Sequence, residues 1–101
     1  MTLPDIQKHS DSHYLISGEL LMHTVPELAR QAGQVLADAS GQVIIDMSGV
    51  SRADSAGMAL LMELQRLARR AQFEIRFQHL PDQLLQIVRL SELEEILPIS
   101  A

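Results

Sequence analysis

The stretch from Val43 to Leu60 most constrains the fold, because it joins an apolar strand to an amphipathic helix through a polar loop. The β-branched run 43–45 is typical of a buried strand. Asp54 and Ser55 begin the helix, where backbone N–H groups lack partners and the helix dipole is positive. A hydroxyl there suits a phosphate or a polar group of a partner. The pattern predicts Asp54 as a helix cap and Ser55 as a candidate site, with capping by both residues as the structural alternative.

Composition and charge exclude several classes of function. The chain has 101 residues, a net charge of −5 and no cysteine. This length favours one domain over residues 1–101. The acidic balance argues against a nucleic-acid-binding surface, and the lack of cysteine excludes disulfides, thiol nucleophiles and cysteine-ligated metals. No apolar run is long enough to span a bilayer and no secretory signal is visible, so we expect a soluble, cytosolic protein.

Hydrophobic periodicity predicts an alternation of strands and helices. Strands are expected at 4–8, 13–18, 42–47 and 73–77. Helices are expected from Val25 to near Ser40, at 55–71, after Pro81, and from Ser91 to just before Pro98. Two capping-box sequences, Thr24 to Glu27 and Ser91 to Glu94, are expected to start the first and last helices. This order predicts an α/β fold, a small mixed sheet of four to five strands with three to four helices packed on it.

The helix predicted at 55–71 carries two stripes of side chains. The face expected to pack on the sheet consists of Gly57, Leu60, Leu61, Leu64, Leu67, Ala68 and Ala71. The other, which we call the methionine stripe, consists of Ser55, Met58, Ala59, Met62, Arg66 and Arg69. Methionine is common at protein-binding surfaces because its side chain is flexible and polarizable. The methionine stripe is therefore a candidate partner-binding face, and the alternative is that another element covers Met58 and Met62.

No pattern in the sequence indicates catalysis, a metal or a cofactor. The histidines His9, His13, His23 and His79 lack metal-ligand spacing, and no acid forms a recognisable triad with them. The glycines are isolated, so neither a phosphate-binding loop nor a dinucleotide fingerprint is present. Asp46 ends the central strand, where α/β proteins often place site residues, but no titratable partner for it is identifiable. The chain is interpreted as non-catalytic, with no metal and no cofactor.

Three segments together resemble the STAS domain family, which includes anti-sigma factor antagonists and the cytoplasmic domains of sulfate transporters. The segments are Ser17-Gly18-Glu19-Leu20, Ile45-Asp46-Met47-Ser48 and Asp54-Ser55-Ala56-Gly57-Met58. The resemblance implies a single STAS domain over residues 1–101. In anti-sigma factor antagonists the hydroxyl residue directly after the aspartate is the phosphoacceptor, and the resemblance implies this role for Ser55.

The run from Val50 to Leu61 more closely resembles the small STAS subunit of the Mla system, a Gram-negative ABC transporter that moves phospholipids between the two membranes. The tail 96–98 (Ile-Leu-Pro) is also similar to the end of that subunit. Anti-sigma factor antagonists usually have a second hydroxyl residue at the position of Ala56 and an acidic residue at that of Leu21. This chain has neither, so the Mla-type subunit is the favoured resemblance.

That resemblance implies a non-catalytic accessory subunit that binds the cytoplasmic ATPase of the transporter and helps to maintain outer-membrane lipid asymmetry. The protein would be cytoplasmic and would reach the inner membrane only through the ATPase. The partner-binding residues would be Ser55, Met58, Ala59, Met62 and Arg66. One alternative is an anti-sigma factor antagonist regulated by phosphorylation of Ser55, and a small enzyme or ligand-binding protein is a third class.

Overall fold

The computed structural model describes residues 3–100, which contain five strands and three helices. The strands are β1 (Asp5–Lys8), β2 (His13–Leu20), β3 (Gln42–Ala53), β4 (Glu74–Gln78) and β5 (Ile99–Ser100). The helices are α1 (Val25–Val35), α2 (Ser55–Ala71) and α3 (Asp82–Leu90). None of the helices within this range combines the length and the apolar character required to cross a membrane.

All five strands form one sheet in the order β1-β2-β3-β4-β5. Strand β1 is antiparallel to β2, and the remaining neighbours are parallel to one another. Buried residues alternate with half-buried or exposed ones along β2 and along the first part of β3. Such alternation is expected when helices cover one face of a sheet and the other face meets solvent. The structure therefore confirms the predicted α/β fold with a mixed sheet.

Strand β3 continues to Ala53, whereas the sequence predicted that it ends at Met47. Beyond Met47 the strand pairs with β2 alone, until Leu20 lies opposite Ala53. Most side chains at 48–52 are exposed, so this part of β3 lacks the apolar alternation of a half-buried strand. Main-chain hydrogen bonds to β2 hold it in place, and hydrophobic periodicity cannot detect such bonds.

The capping box predicted at Thr24 is wrong. Thr24 directly precedes α1, but its side chain makes no hydrogen bond to the helix N-terminus. Its hydroxyl donates to the Glu19 carbonyl oxygen at 2.7 Å and accepts the Leu21 N–H at 2.9 Å. Glu27, which was expected to complete the box, pairs with Arg30 on the surface of α1. Because Thr24 is buried, its hydroxyl must find partners, and the end of β2 supplies them.

The short helix predicted from Ser91 is also wrong. Ser91 is the C-cap of α3, and residues 92–97 contain turns but no helix. Glu94 pairs with Arg89 at an O···N distance of 3.0 Å and does not cap a helix. A segment this short cannot offset the cost of nucleating a helix, and its chain direction is set by the need to reach β5.

The core lies between the helices and one face of the sheet. The predicted core face of α2 is buried at Gly57, Leu60, Leu61, Leu64 and Ala68, whereas Ala71 is exposed where the helix ends. A Cβ atom on Gly57 would lie 3.1 Å from the Leu84 side chain and 3.3 Å from that of Ala53. The missing side chain therefore lets α2 approach α3 and the end of β3 closely. This contact positions the N-terminus of α2, where Ser55 lies.

Candidate partner-binding site

The candidate site is centred on the junction of β3 and α2, where Asp54 is the N-cap. Asp54 has an extended backbone, and its Oδ1 accepts the Ala56 N–H at 2.8 Å. Its carbonyl oxygen accepts the Gly57 N–H at 2.9 Å. Ser55 is therefore the first residue of α2; it is exposed, and its hydroxyl makes no hydrogen bond within residues 3–100. That hydroxyl is available to a partner at the positive end of the α2 dipole.

Asp54 also ties the loop after β2 to the N-terminus of α2. Its Oδ2 accepts the Met22 N–H at 3.3 Å, and its own N–H donates to the Leu20 carbonyl oxygen at 3.1 Å. The Thr24 hydroxyl braces the same loop from its other end. The Met22 backbone is consequently held close to the N-cap of α2, and 78% of the surface of Met22 is exposed. An exposed methionine side chain on a hydrogen-bonded backbone offers apolar contact to a partner.

Met22 was not among the site residues predicted from the sequence. The available signal was its position soon after the segment 17–20, which ends β2. Because β2 and β3 are parallel, the residues that follow each strand meet at the same edge of the sheet. The parallel direction of β2 and β3, combined with the position of Ser55, would have predicted that Met22 lies near the N-terminus of α2.

The N-terminus of α3 completes the junction. The Gln83 Oε1 accepts the Ala53 N–H at 3.1 Å, which links α3 to the last residue of β3. The connections after β2, β3 and β4 therefore meet around the start of α2. In sheets with parallel strands this carboxyl edge is where functional sites are usually found.

The methionine stripe follows α2 away from this junction and is only partly exposed. Ser55, Ala59 and Arg66 are exposed, and Met62 exposes 43% of its surface. Met58 is half-buried and packs against the core, so the structural alternative holds in part for this residue. The apolar contact that the stripe offers therefore centres on Met62.

Asp46 has a titratable partner that the sequence did not reveal. The His79 Nδ1 lies 3.1 Å from the Asp46 Oδ1, which also accepts the Ser48 N–H at 2.9 Å. His79 follows β4 in the left-handed region, with φ 59°. Within residues 3–100 His79 makes no hydrogen bond to a hydroxyl. In the same range no group of three histidine or acidic residues could hold a metal ion.

The Asp46 carboxylate makes a small, pH-dependent contribution to stability. Burial raises the pKa of Asp46, but the hydrogen bonds from Ser48 and His79 outweigh it and hold the pKa below its ordinary value of 3.8. A lowered folded-state pKa favours the folded protein above the unfolded pKa, and this contribution is lost as the pH falls through the folded one.

We therefore expect Asp46→Asn to lower the free energy of unfolding at neutral pH by less than about 1 kcal/mol, because the pair is partly exposed. The difference from the wild type should disappear at low pH. Urea unfolding at the two pH values measures it, and Asp38→Asn in an exposed turn is the control. A loss of stability that is equally large at low pH would contradict the prediction.

Comparison with protein families identifies the family of the chain. The family model described as "Mlab, STAS domain" matches residues 7–98. The chain belongs to this STAS domain family. The match confirms the resemblance found in the sequence, and the matched residues include every strand and helix from β2 to α3. Comparison with curated proteins gives no match.

Solved structures share the STAS fold. A Thermotoga maritima protein assigned as an anti-sigma factor antagonist has a TM-score of 0.75 at 11% identity, over 95% of this chain and 84% of that one. An anti-sigma factor antagonist from Mycobacterium paratuberculosis has a TM-score of 0.74 at 22% identity, over 98% and 85%. The anti-sigma factor antagonist SpoIIAA, in its unphosphorylated form, has a TM-score of 0.63 at 14% identity, over 86% and 82%. At these identities the similarity shows the fold alone.

Proposed function

We propose that this STAS domain protein is a non-catalytic subunit that binds the cytoplasmic ATPase of an ABC phospholipid transporter, in a complex that maintains outer-membrane lipid asymmetry. The observation that carries the proposal is the match of residues 7–98 to the family described as Mlab. The protein would lie in the cytoplasm and be held at the inner membrane through its partner.

The surface around the α2 N-terminus fits such a role. Ser55 supplies a hydroxyl that is unpaired within residues 3–100, and the exposed methionines Met22 and Met62 supply apolar contact. Interfaces commonly derive most of their binding energy from a few such anchors, surrounded by contacts that exclude water. We therefore assign the partner interface to the loop after β2 and to the methionine stripe.

In this proposal ATP hydrolysis belongs to the partner. STAS domain families are generally non-catalytic regulatory proteins. The sequence has no glycine-rich phosphate-binding loop, which ATPases use to hold the nucleotide. The experiment that tests the proposal is a binding titration between the purified chain and the purified ATPase subunit of the transporter from the same organism. Formation of a stable complex is expected, and no binding in a well-folded preparation would refute the proposal.

Truncating Met62 should separate binding from folding. We expect Met62→Ala to weaken ATPase binding by about tenfold, as for an interface anchor, with little change in the free energy of unfolding because the side chain is 43% exposed. Met58→Ala should additionally reduce stability, because Met58 packs against the core. Titration calorimetry and urea unfolding measure the two effects.

Leu90→Ala is the matched control for Met62→Ala. Leu90 exposes 85% of its surface on α3 and lies outside the methionine stripe. Its truncation should change neither binding nor stability. If Met62→Ala binds the ATPase as tightly as the wild type does, the methionine stripe is not the interface.

The second candidate function is an anti-sigma factor antagonist regulated by phosphorylation of Ser55. Two observations favour it: the structural neighbours are proteins of that name, and Ser55 is exposed at a helix N-terminus that would stabilise a phosphate. The genes beside this one would discriminate cheaply, since transporter permease and ATPase genes fit the first function and a serine kinase gene fits the second. Stoichiometric phosphorylation of Ser55 by such a kinase would establish the second function.

A further inference from the structure

A small groove lies beside the far end of the methionine stripe, between α2 and the turns that precede β5. Its volume is about 200 Å³. The groove is lined by apolar side chains, namely Met62, Leu93, Ile96 and Leu97, and by two arginines, Arg66 and Arg69. The Gln65 amide donates to the Ile96 carbonyl oxygen at 3.3 Å and holds the two walls together. Ile96 nevertheless exposes 60% of its surface.

The two arginines that line the groove differ in their ion pairs. The Arg66 guanidinium lies 3.1 Å from the Glu63 carboxylate on the same helix. Arg69 forms no ion pair or hydrogen bond with any residue from 3 to 100. Arg70 likewise forms none with the described residues, but it does not line the groove. The Arg69 guanidinium, beside the apolar side chains of the groove, can bind a carboxylate through two parallel hydrogen bonds.

The size of the groove indicates the class of its occupant. Pockets for small molecules usually measure about 300–1,000 Å³, which exceeds the space available here. A volume of about 200 Å³ accommodates an apolar side chain of a polypeptide, the usual anchor at a protein interface. Met62, Arg66 and Arg69 belong both to the groove and to the methionine stripe. A protein bound along the stripe therefore reaches the groove without a separate binding event.

We infer that the groove receives an acidic, apolar segment of the protein bound on the methionine stripe. An apolar side chain of that segment inserts beside Ile96, and a carboxylate of the same segment pairs with Arg69. The inference rests on the proposed function, because the partner is the transporter ATPase. It extends the interface from the N-terminus of α2 to the opposite end of the helix, where charge complementarity adds specificity.

Charge reversal tests the ion pair. Arg69→Glu should weaken ATPase binding by about tenfold or more, because it replaces an attraction with a like-charge repulsion. Arg70→Glu is the matched control, since Arg70 is the next residue in the last turn of α2, is exposed and does not line the groove. Both changes cost the same interaction with the helix dipole. Only Arg69→Glu should therefore raise the Kd measured by titration calorimetry.

Crosslinking tests the identity of the occupant. The chain has no cysteine, so one introduced thiol reports on a single position. Ile96→Cys, carrying a thiol-attached photocrosslinker, should crosslink to the ATPase, and mass spectrometry should find the crosslinked peptide to contain acidic and apolar residues close together. Leu90→Cys on the exposed surface of α3 is the control and should not crosslink.

Each outcome supports or contradicts the proposed occupant of the groove. Wild-type affinity in Arg69→Glu, together with lost binding in Ser55→Asp, would overturn the groove assignment while the proposed function stands. A crosslinked peptide without acidic residues would also overturn it. Binding of the isolated chain to phosphatidylglycerol vesicles that depends on Arg69, with unchanged ATPase affinity, would assign the groove to lipid instead. A wild-type chain that does not bind the ATPase at all would overturn the inference and the proposed function together.

Discussion

Ser55→Asp is expected to lower the affinity for the transporter ATPase by about two orders of magnitude, because an uncompensated charge buried in an interface costs several kcal/mol. The Ser55 hydroxyl is exposed and unpaired within residues 3–100, which suits a contact with a neutral polar group. The fold should tolerate the change, since negative charge in the first turn of α2 favours the helix dipole. Titration calorimetry should therefore show weak binding, while urea unfolding shows unchanged or slightly higher stability.

Two further variants make the result specific. Ser55→Ala should lose one or two hydrogen bonds to the partner, each worth roughly 0.5–1.5 kcal/mol. Ser40→Asp places the same charge on an exposed serine before β3, at the opposite edge of the sheet, and should leave binding unchanged. An anti-sigma factor antagonist would behave differently, because Ser55→Ala would keep full binding and Ser55→Asp would imitate the phosphorylated, inactive protein. Full retention of binding and function by Ser55→Ala would thus favour the second candidate function.

Gly18→Ala is expected to reduce the free energy of unfolding by about 2–4 kcal/mol, one of the largest effects of a single methyl group in this protein. Gly18 has a φ of 93°, which side-chain-bearing residues rarely adopt. An added Cβ would also lie 2.6 Å from the Leu3 carbonyl oxygen and 2.7 Å from the Pro4 Cα. Both neighbours are backbone atoms, so they cannot move aside without displacing the start of β1. A fall in Tm of roughly 10 °C or more should accompany the loss.

Gly33→Ala is the matched control, because it adds the same atom within α1 where nothing lies within 4 Å. Alanine is the better helix former, so this variant should gain about 0.4–1 kcal/mol of stability. Urea unfolding of the two variants side by side measures the contrast. If Gly18→Ala is no less stable than the wild type, neither the positive φ nor the close approach of β1 is needed for the fold.

Prediction from sequence succeeded where neighbouring residues carry the information. The bounds of α2 were predicted at 55–71 and found there, because a clear periodicity lies within the segment and an N-cap residue and a following strand lie directly beside it. The core face of the same helix was also identified, apart from Ala71 at its exposed end. The motif containing Gly18 was recognised as a family feature, and the structure adds its physical cause.

Prediction failed where contacts outside the recognised pattern decided the local structure. Thr24 and Ser91 both matched the local pattern of a capping box. The Thr24 hydroxyl instead donates to a carbonyl oxygen at the end of β2, and Ser91 is the C-cap of α3. The continuation of β3 beyond Met47 depends on bonds to β2, not on its own side chains. At Thr24 and Ser91 neighbouring groups outweighed a capping preference that is worth only about 1 kcal/mol. Only the continuation of β3 depends on a segment far away along the chain.

The sequence by itself determined the fold class, the position of Ser55 at the start of α2 and the family of the protein, since all three follow from patterns within short segments. Only the tertiary structure decided which residues surround the N-terminus of α2 and which residue pairs with Asp46. Met22 and Asp54 are separated by 32 residues, Ala53 and Gln83 by 30, and Asp46 and His79 by 33. Such pairs form when helices pack and parallel strands align, and no local preference encodes their geometry. The same packing leaves Met58 half-buried and Met62 and Ile96 exposed. It also forms the groove beside Arg69.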